Sequence, residues 1–97
     1  MPKEKLEQGV VESYIHSNKK IGVLLELKTK TDFASRTEIF KNLAHDLAMQ
    51  IAAMGEKELE SQTFIKNPEK KIRDILKEAR EQLGEPVEIG RIARYAL

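Results

Sequence analysis

The strongest constraint on the fold is a polar link of four residues between two segments with strand character. Residues 10–16 mix β-branched and aromatic residues with polar ones, and residues 21–28 alternate between the two faces of a strand. The link, residues 17–20, is too short for the crossover that parallel strands require. The sequence therefore predicts an antiparallel hairpin whose second strand places on one face Ile21, Val23, Leu25 and Leu27.

Two amphipathic helices are predicted after this hairpin. Residues 35–38 have the S-x-x-E form of a capping box, so the first helix is predicted to begin at this serine and to end at Gly55. The second helix is predicted to begin at Asn67-Pro68, as N-cap and first helical residue, and to end at Gly84. The apolar stripe of the first helix consists of Phe40, Leu43, Leu47 and Ile51.

Two further strand segments complete the pattern. Residues 61–66 form a short candidate strand with only two apolar residues, and residues 87–97 form a longer one in which Gly90 is expected to mark a bulge. The resulting order, β-β-α-β-α-β, predicts an α+β fold: a two-layer sandwich with a mostly antiparallel sheet and helices on one face. We expect a single domain over residues 1–97, with residues 1–9 as a partly disordered lead-in.

Composition argues against several classes of protein. Lys and Arg total 17, Asp and Glu total 16, and the two signs are interspersed, so the net charge of +1 does not favour a nucleic-acid or membrane binder. Without cysteine, the chain has no disulfide, thiolate zinc site or thiol nucleophile. No apolar run approaches the ~20 residues that span a bilayer. We therefore expect a soluble, cytoplasmic protein, with an organelle matrix as the open alternative.

The sequence carries no recognisable catalytic constellation. It has no G-x-S-x-G, P-loop, glycine-rich dinucleotide or H-E-x-x-H motif. His16 and His45 are its only histidines. His45 and its neighbour Asp46 point about 100° apart on a helix, so they do not form a base with its orienting partner. We therefore predict a protein that is not an enzyme and that uses no cofactor or metal.

Thr31-Asp32-Phe33, between the second strand and the first helix, is the main candidate functional segment. In one interpretation, Thr31 or Asp32 caps an early helix and Phe33 packs back onto Ile39 or Phe40. In the other, the segment is a loop before the capping box, and the aromatic ring fills a pocket on a partner protein. The capping box favours the second interpretation.

Six motifs follow one another along the chain: V-E-S-Y-I-H, I-G-V-L-L-E-L, T-D-F-A-S-R-T-E-I-F-K-N-L-A-H-D-L-A-M-Q-I-A-A-M, S-Q-T-F-I-K-N-P, L-G and R-I-A-R-Y-A-L. Together they resemble the core domain of the translation elongation factor Ts family. The resemblance runs from about residue 10 to residue 97 and is far more specific than any one motif.

The resemblance implies a guanine-nucleotide exchange factor, which binds elongation factor Tu in its GDP form and lets GTP replace GDP. It implies that Thr31, Asp32, Phe33 and Arg36 contact this partner. Phe33 would act as a wedge near the switch II helix, and Asp32 as a hydrogen-bonding or repulsive group. Displacing the groups around the Mg²⁺ ion would leave the β-phosphate less well neutralised and so weaken GDP binding.

The chain departs from the family pattern in several places. The pattern reads T-D-F-V-x-R-N after an acidic residue, whereas Lys30, Ala34 and Thr37 stand at the acidic, valine and asparagine positions. We also expect the chain to lack the family's N-terminal helical domain and to shorten the helical segment before the third predicted strand to residues 55–62. These differences predict a weaker interface with elongation factor Tu.

The resemblance also implies a homodimer formed through the sheet. Arg91, Ile92, Arg94 and Tyr95 of the last strand are the candidate dimer residues. Alternatively, the two arginines line a solvated face of the sheet.

Two other functions remain as alternatives. One is a homodimeric binding module of the same fold without exchange activity. The other is an RNA-binding module that uses Lys19, Lys20, Arg91 and Arg94. The near-zero net charge and the few aromatic residues disfavour the RNA-binding module, so direct nucleic-acid binding is not expected.

Overall fold

The computed structural model describes residues 5–97. Within this range a sheet of three strands is combined with two long helices and one short helix. A single 3-10 turn, Leu59–Ser61, lies between the long helices. The elements are β1 (Gln8–Ile15), β2 (Ile21–Thr29), α1 (Asp32–Ser35), α2 (Glu38–Met54), α3 (Ile72–Leu83) and β3 (Val87–Ala96).

The sheet has the strand order β1-β2-β3, and both neighbouring pairs are antiparallel. β1 and β2 pair from Gln8 opposite Thr29 to Ile15 opposite Gly22. The predicted hairpin is therefore confirmed. β2 is the central strand because β3 returns along its other edge.

The two long helices cover one face of the sheet. Leu25 and Leu27 of β2 are completely buried against them, whereas Leu24 is exposed on the opposite face. Ala44 and Ala48 of α2 are also completely buried, since small side chains let a helix approach the sheet closely. The α+β class and the apolar stripe of the first long helix are thus confirmed. Besides Leu25 and Leu27, the largest fully buried apolar side chains are Phe40, Leu47, Ile51, Ile72, Leu76 and Val87.

Residues 61–66 do not add a strand to the sheet. Among the described residues this segment makes one isolated bridge, between Thr63 and Lys71. Its backbone groups instead bind the buried side chain of Gln50, whose Nε2 donates to the Thr63 carbonyl oxygen at 2.9 Å and whose Oε1 accepts from the Ile65 N–H at 3.0 Å. A buried glutamine therefore supplies the hydrogen bonds that a neighbouring strand would have supplied.

The predicted start of the second long helix was wrong by several residues. The Asn67 side chain accepts from the Glu69 N–H at 3.2 Å and forms a turn, and α3 begins only at Ile72. Its first turn is closed by Asp74, whose Oδ2 accepts from the Lys71 N–H at 2.8 Å. The helix ends at the predicted residue, Gly84, which adopts a left-handed conformation with φ of 67°. None of the helices within residues 5–97 combines the length and the apolar character needed to cross a membrane.

The predicted lead-in is described only in part. Residues 1–4 lie outside the described residues. Leu6 is buried, and β1 already begins at Gln8.

Candidate functional site

The Thr31-Asp32-Phe33 segment is a capped turn of helix and not an extended loop. Thr31 has extended backbone angles, and its Oγ1 accepts from the Ala34 N–H at 3.1 Å, which makes it the N-cap of α1. The Arg36 N–H closes the turn by donating to the Asp32 carbonyl oxygen at 3.2 Å. Thr31 therefore caps an early helix, as the first of the two interpretations expected.

The capping box at residues 35–38 does not form, because a separate short helix precedes α2. Ser35 belongs to α1, where its Oγ donates to the Asp32 carbonyl oxygen at 2.7 Å. Thr37 caps α2 instead, since its Oγ1 accepts from the Phe40 N–H at 3.2 Å. Two threonines thus cap two consecutive helices, and the predicted start of the first long helix moves to Glu38.

Phe33 projects from this turn into solvent. The residue is 82 % exposed, so the ring does not pack back onto Ile39 or Phe40. Ala34 and Ser35, the next two residues of α1, are both buried. One side of the turn is therefore anchored in the protein while the other side presents an unshielded aromatic ring.

An ion pair lies on the turn that carries Phe33. Arg36 Nε lies 2.9 Å from Asp32 Oδ2, and both side chains are largely exposed. An exposed pair of this kind adds little to stability. The carboxylate and the guanidinium thus remain available to a partner, and the structure brings together all four residues predicted for partner binding: Thr31, Asp32, Phe33 and Arg36.

Glu85, in the link between α3 and β3, fixes the start of this turn. Its Oε1 accepts from the Thr31 N–H at 3.0 Å, and its Oε2 accepts from the Thr31 hydroxyl at 2.6 Å. The hydroxyl of the buried Thr29 lies 3.1 Å from Oε1 and 2.8 Å from the Pro86 carbonyl oxygen, so these two acceptors share its single hydrogen. The hydrogen bond from the Thr31 hydroxyl has the largest of several effects that lower the pKa of Glu85, and it favours the ionised carboxylate. Sequence reasoning missed this residue, because its partners are more than fifty positions away.

The four predicted dimer residues do not share one face. Arg94 lies opposite Val23 and Ile92 lies opposite Leu25, so both point to the side of the sheet that the helices cover. Tyr95 lies opposite Gly22 on the other side and is 77 % exposed. The outer face, away from the helices, carries the exposed apolar side chains Val11, Ile15, Leu24 and Tyr95.

β3 contains a bulge, which changes the face of the sheet to which its later residues point. Gly90 and Arg91 lie together opposite Glu26, because the register shifts between Leu25 and Leu27. The Arg91 N–H donates to Glu26 Oε1 at 2.8 Å, and the guanidinium binds the same carboxylate through Nε at 3.0 Å and Nη2 at 2.8 Å. These hydrogen bonds lower the pKa of Glu26 to about 2. The bulge predicted at Gly90 is therefore confirmed. A Cβ at this position would lie 2.9 Å from Glu26 Oε1, so a residue without a side chain fits here.

The two histidines are not arranged as a catalytic pair. His16 Nδ1 lies 3.3 Å from the Tyr14 hydroxyl, and the His45 ring packs edge-on to the same tyrosine with centroids 6.2 Å apart. Among residues 5–97, no group of three or more acidic, cysteine or histidine side chains is arranged to hold a metal ion. The exposed turn at Phe33 is the candidate site, because an exposed aromatic ring beside an exposed ion pair suits a surface that binds another protein.

Comparison with known proteins identifies the family of this chain. The family model described as elongation factor TS matches residues 2–60. Elongation factor Ts of Oleidesulfovibrio alaskensis is 34% identical over 138 residues, which cover 93% of this chain and 70% of that protein. Elongation factor Ts of Thermodesulfovibrio yellowstonii is 34% identical over 136 residues, with 92% and 68% covered. The chain belongs to the elongation factor Ts family.

The relatives are longer than this chain. Elongation factor Ts of Thermosipho melanesiensis is 39% identical over 79 residues, which cover 81% of this chain but only 40% of that protein. The alignments of 138 and 136 residues exceed the 97 residues of this chain, so those two relatives contain internal residues that it lacks. The family match ends at residue 60, within the short connection between α2 and α3.

Proposed function

We propose that this chain is a guanine-nucleotide exchange factor that acts on the GDP form of elongation factor Tu and uses Phe33 as a wedge. The observation that carries the proposal is the 82 % exposure of Phe33 on a turn that is capped and anchored on its other side. An aromatic ring held in this way can enter a pocket on a partner with little loss of conformational entropy. Membership of the elongation factor Ts family supports elongation factor Tu as the partner.

The wedge acts by stabilising one state of the partner. Phe33 inserts near the switch II helix of elongation factor Tu and displaces the groups that surround Mg²⁺. Without full neutralisation by the ion, the β-phosphate is bound less tightly and GDP leaves. The factor must therefore bind the nucleotide-free state of elongation factor Tu more tightly than the GDP state. Equal affinity for both states would leave the equilibrium between them unchanged. In this proposal the chain makes and breaks no covalent bond, and it works in the cytoplasm or organelle matrix where translation takes place.

Asp32 and Arg36 flank the wedge as a preformed ion pair. Their side chains lie 2.9 Å apart and are exposed, so either can exchange its present partner for a group on elongation factor Tu at small cost. Asp32 acts as the hydrogen-bonding or repulsive group, and Thr31 fixes the turn.

The test is the release of a fluorescent GDP from elongation factor Tu at fixed Mg²⁺. We expect the parent protein to accelerate release and Phe33→Ala to abolish the acceleration. Met54→Ala is the matched control, because Met54 is also an exposed apolar residue but lies at the far end of α2. Equal acceleration by the parent and by Phe33→Ala would overturn the wedge, and no acceleration by the parent would overturn the exchange function.

As a second proposal, the chain forms a homodimer through the outer face of the sheet. The same dimer would form if the chain is a binding module of this fold without exchange activity. The exposed apolar side chains on that face favour it. Sedimentation equilibrium should show a dimer that Leu24→Lys dissociates and that Met54→Lys leaves intact. A parent protein that stays monomeric at every concentration would contradict it.

A further inference from the structure

Thr31 connects two sets of hydrogen bonds at the start of the candidate site. Its Oγ1 accepts from the Ala34 N–H at 3.1 Å, and the same hydroxyl donates to Glu85 Oε2 at 2.6 Å. A hydroxyl has one hydrogen, and donating it to the carboxylate turns the oxygen lone pairs towards Ala34. The negative charge also polarises the hydroxyl and makes it a better acceptor. Glu85 thereby strengthens the cap of α1.

Glu85 is itself fixed to the body of the protein. Thr29, at the end of β2, is completely buried, and its hydroxyl lies 3.1 Å from Glu85 Oε1 and 2.8 Å from the Pro86 carbonyl oxygen. Gly84 ends α3 on one side of Glu85, and Pro86 restricts the backbone on the other. The carboxylate therefore connects the turn at Thr31 to the end of β2, through Thr29, and to the end of α3, which Glu85 directly follows.

We propose that Glu85 is a positioning residue for nucleotide exchange: through Thr31 it fixes α1 in the orientation that presents Phe33 to the partner. This inference rests on the proposed exchange function. Without the Glu85 carboxylate, α1 samples other orientations, and only a fraction of the molecules presents Phe33 correctly. The concentration of factor that gives half-maximal exchange then rises in proportion to the inverse of that fraction, while the maximal rate is kept, because the wedge itself is unchanged.

Three variants separate this role from a general loss of charge or stability. Glu85→Ala removes every hydrogen bond of the carboxylate. Glu85→Gln keeps an oxygen that can accept from the Thr31 N–H and the Thr29 hydroxyl but lacks the charge, so its effect should be intermediate. Glu81→Ala is the matched control, because Glu81 is an exposed carboxylate of α3 four residues earlier.

The first measurement is amide hydrogen exchange in the free protein, which does not depend on elongation factor Tu. In Glu85→Ala we expect the Ala34 and Ser35 amides to exchange at least about tenfold faster. The reason is that the Ala34 N–H donates to Thr31 Oγ1 at 3.1 Å and the Ser35 N–H donates to the Thr31 carbonyl oxygen at 3.3 Å, and both hydrogen bonds are weakened. Amides in the middle of α2, such as that of Leu47, should be unchanged. Parent-like protection of Ala34 and Ser35 in Glu85→Ala would overturn the proposal, as would an equal loss of protection in α2.

The second measurement is the release of a fluorescent GDP from elongation factor Tu over a range of factor concentrations. We expect Glu85→Ala to raise the half-maximal concentration about tenfold with an unchanged maximal rate, Glu85→Gln to lie between, and Glu81→Ala to match the parent. An unaltered concentration dependence in Glu85→Ala would overturn the positioning role. If the parent itself fails to accelerate release, the exchange function fails, while the hydrogen-exchange result still decides whether Glu85 fixes α1.

Discussion

Arg94 joins the last strand to the end of the longest helix. Its Nε donates to the Ile51 carbonyl oxygen and its Nη2 to the Ala52 carbonyl oxygen, each at 3.0 Å. Both carbonyls belong to the last turn of α2. The Ile51 oxygen also accepts from the Gly55 N–H at 2.8 Å, whereas the Ala52 oxygen is one of the last carbonyls, for which a helix supplies no N–H. The end of the helix also carries partial negative charge, which the guanidinium offsets. The contact fixes α2 against β3 above the buried core.

Replacing Arg94 should destabilise the fold. We expect Arg94→Met to lower the free energy of unfolding by about 1.5–3 kcal/mol, because two hydrogen bonds to a charged donor are lost. Arg94→Lys should recover only part of this loss, since an ammonium cannot span two carbonyls as a planar fork does. Urea denaturation followed by circular dichroism measures the difference. Arg73→Met, at an exposed position of α3, serves as the control and should change the value by at most about 0.5 kcal/mol. Equal losses in Arg94→Met and Arg73→Met would contradict the assignment.

Gln50 should be essential for the connection between the two long helices. Its buried side chain binds the Thr63 carbonyl oxygen, the Ile65 N–H and, at 3.0 Å, Gln62 Oε1. Gln50→Leu keeps the size of the side chain but leaves these groups without partners, so we expect a loss of about 2–3 kcal/mol in unfolding free energy. Gln82→Leu, an exposed glutamine of α3, is the matched control. A stability of Gln50→Leu equal to that of Gln82→Leu would mean that the network contributes nothing.

Local patterns predicted the hairpin, the buried face of α2 and the end of α3, because each depends on residues that are neighbours in sequence. The periodicity of apolar residues does not show which groups a buried polar side chain is hydrogen-bonded to. Nothing in residues 61–66 indicates that Gln50 satisfies their backbone groups. Glu85 was missed for the same reason, because its hydrogen bonds to Thr31 join residues that are 54 positions apart. The candidate segment could therefore be found from sequence, but the residue that fixes it could not.

The residues of β3 that point towards the helices could not be predicted from the sequence, for a different reason. Strict alternation from the buried Val87 would point Arg91 towards the helices and Ile92 outwards. The bulge at Gly90 inserts one residue opposite Glu26 and reverses the alternation beyond it. Ile92 therefore packs against the core cluster while Arg91 is exposed. A bulge can be suspected from a glycine, but its effect on the register is visible only in the paired strands.

The ion pair at this bulge predicts a dependence of stability on pH. Arg91 holds the pKa of Glu26 at about 2 in the folded protein, below the ordinary value of 4.5. A group whose pKa is lowered by folding contributes stability that is fully present above its unfolded pKa and is lost as the pH falls through its folded pKa. The contribution of Glu26 should therefore be complete above pH 4.5 and disappear between pH 4.5 and about 2.

The measurement is urea denaturation of the parent and of Glu26→Gln at several pH values across this window. We expect the difference in unfolding free energy between them to shrink as the pH falls, because protonated Glu26 and glutamine are both neutral. Glu81→Gln, an exposed carboxylate of α3, should show a smaller change. A difference that stays constant with pH would show that the carboxylate of Glu26 has no special role at the bulge.

Phe33 and Phe40 are seven residues apart, yet their burial predicts opposite consequences of the same substitution. Phe40 is completely buried in the core, so Phe40→Ala should cost about 3–5 kcal/mol of unfolding free energy through lost burial and the cavity left behind. Phe33 is 82 % exposed, so Phe33→Ala should change the unfolding free energy by at most about 0.5 kcal/mol. Thermal and urea unfolding of the two variants measure both values. A large loss in Phe33→Ala would mean that the ring packs against its own chain, and a loss of exchange activity in that variant could then no longer be attributed to the wedge. Parent-like stability leaves contact with a partner as the role of this aromatic residue.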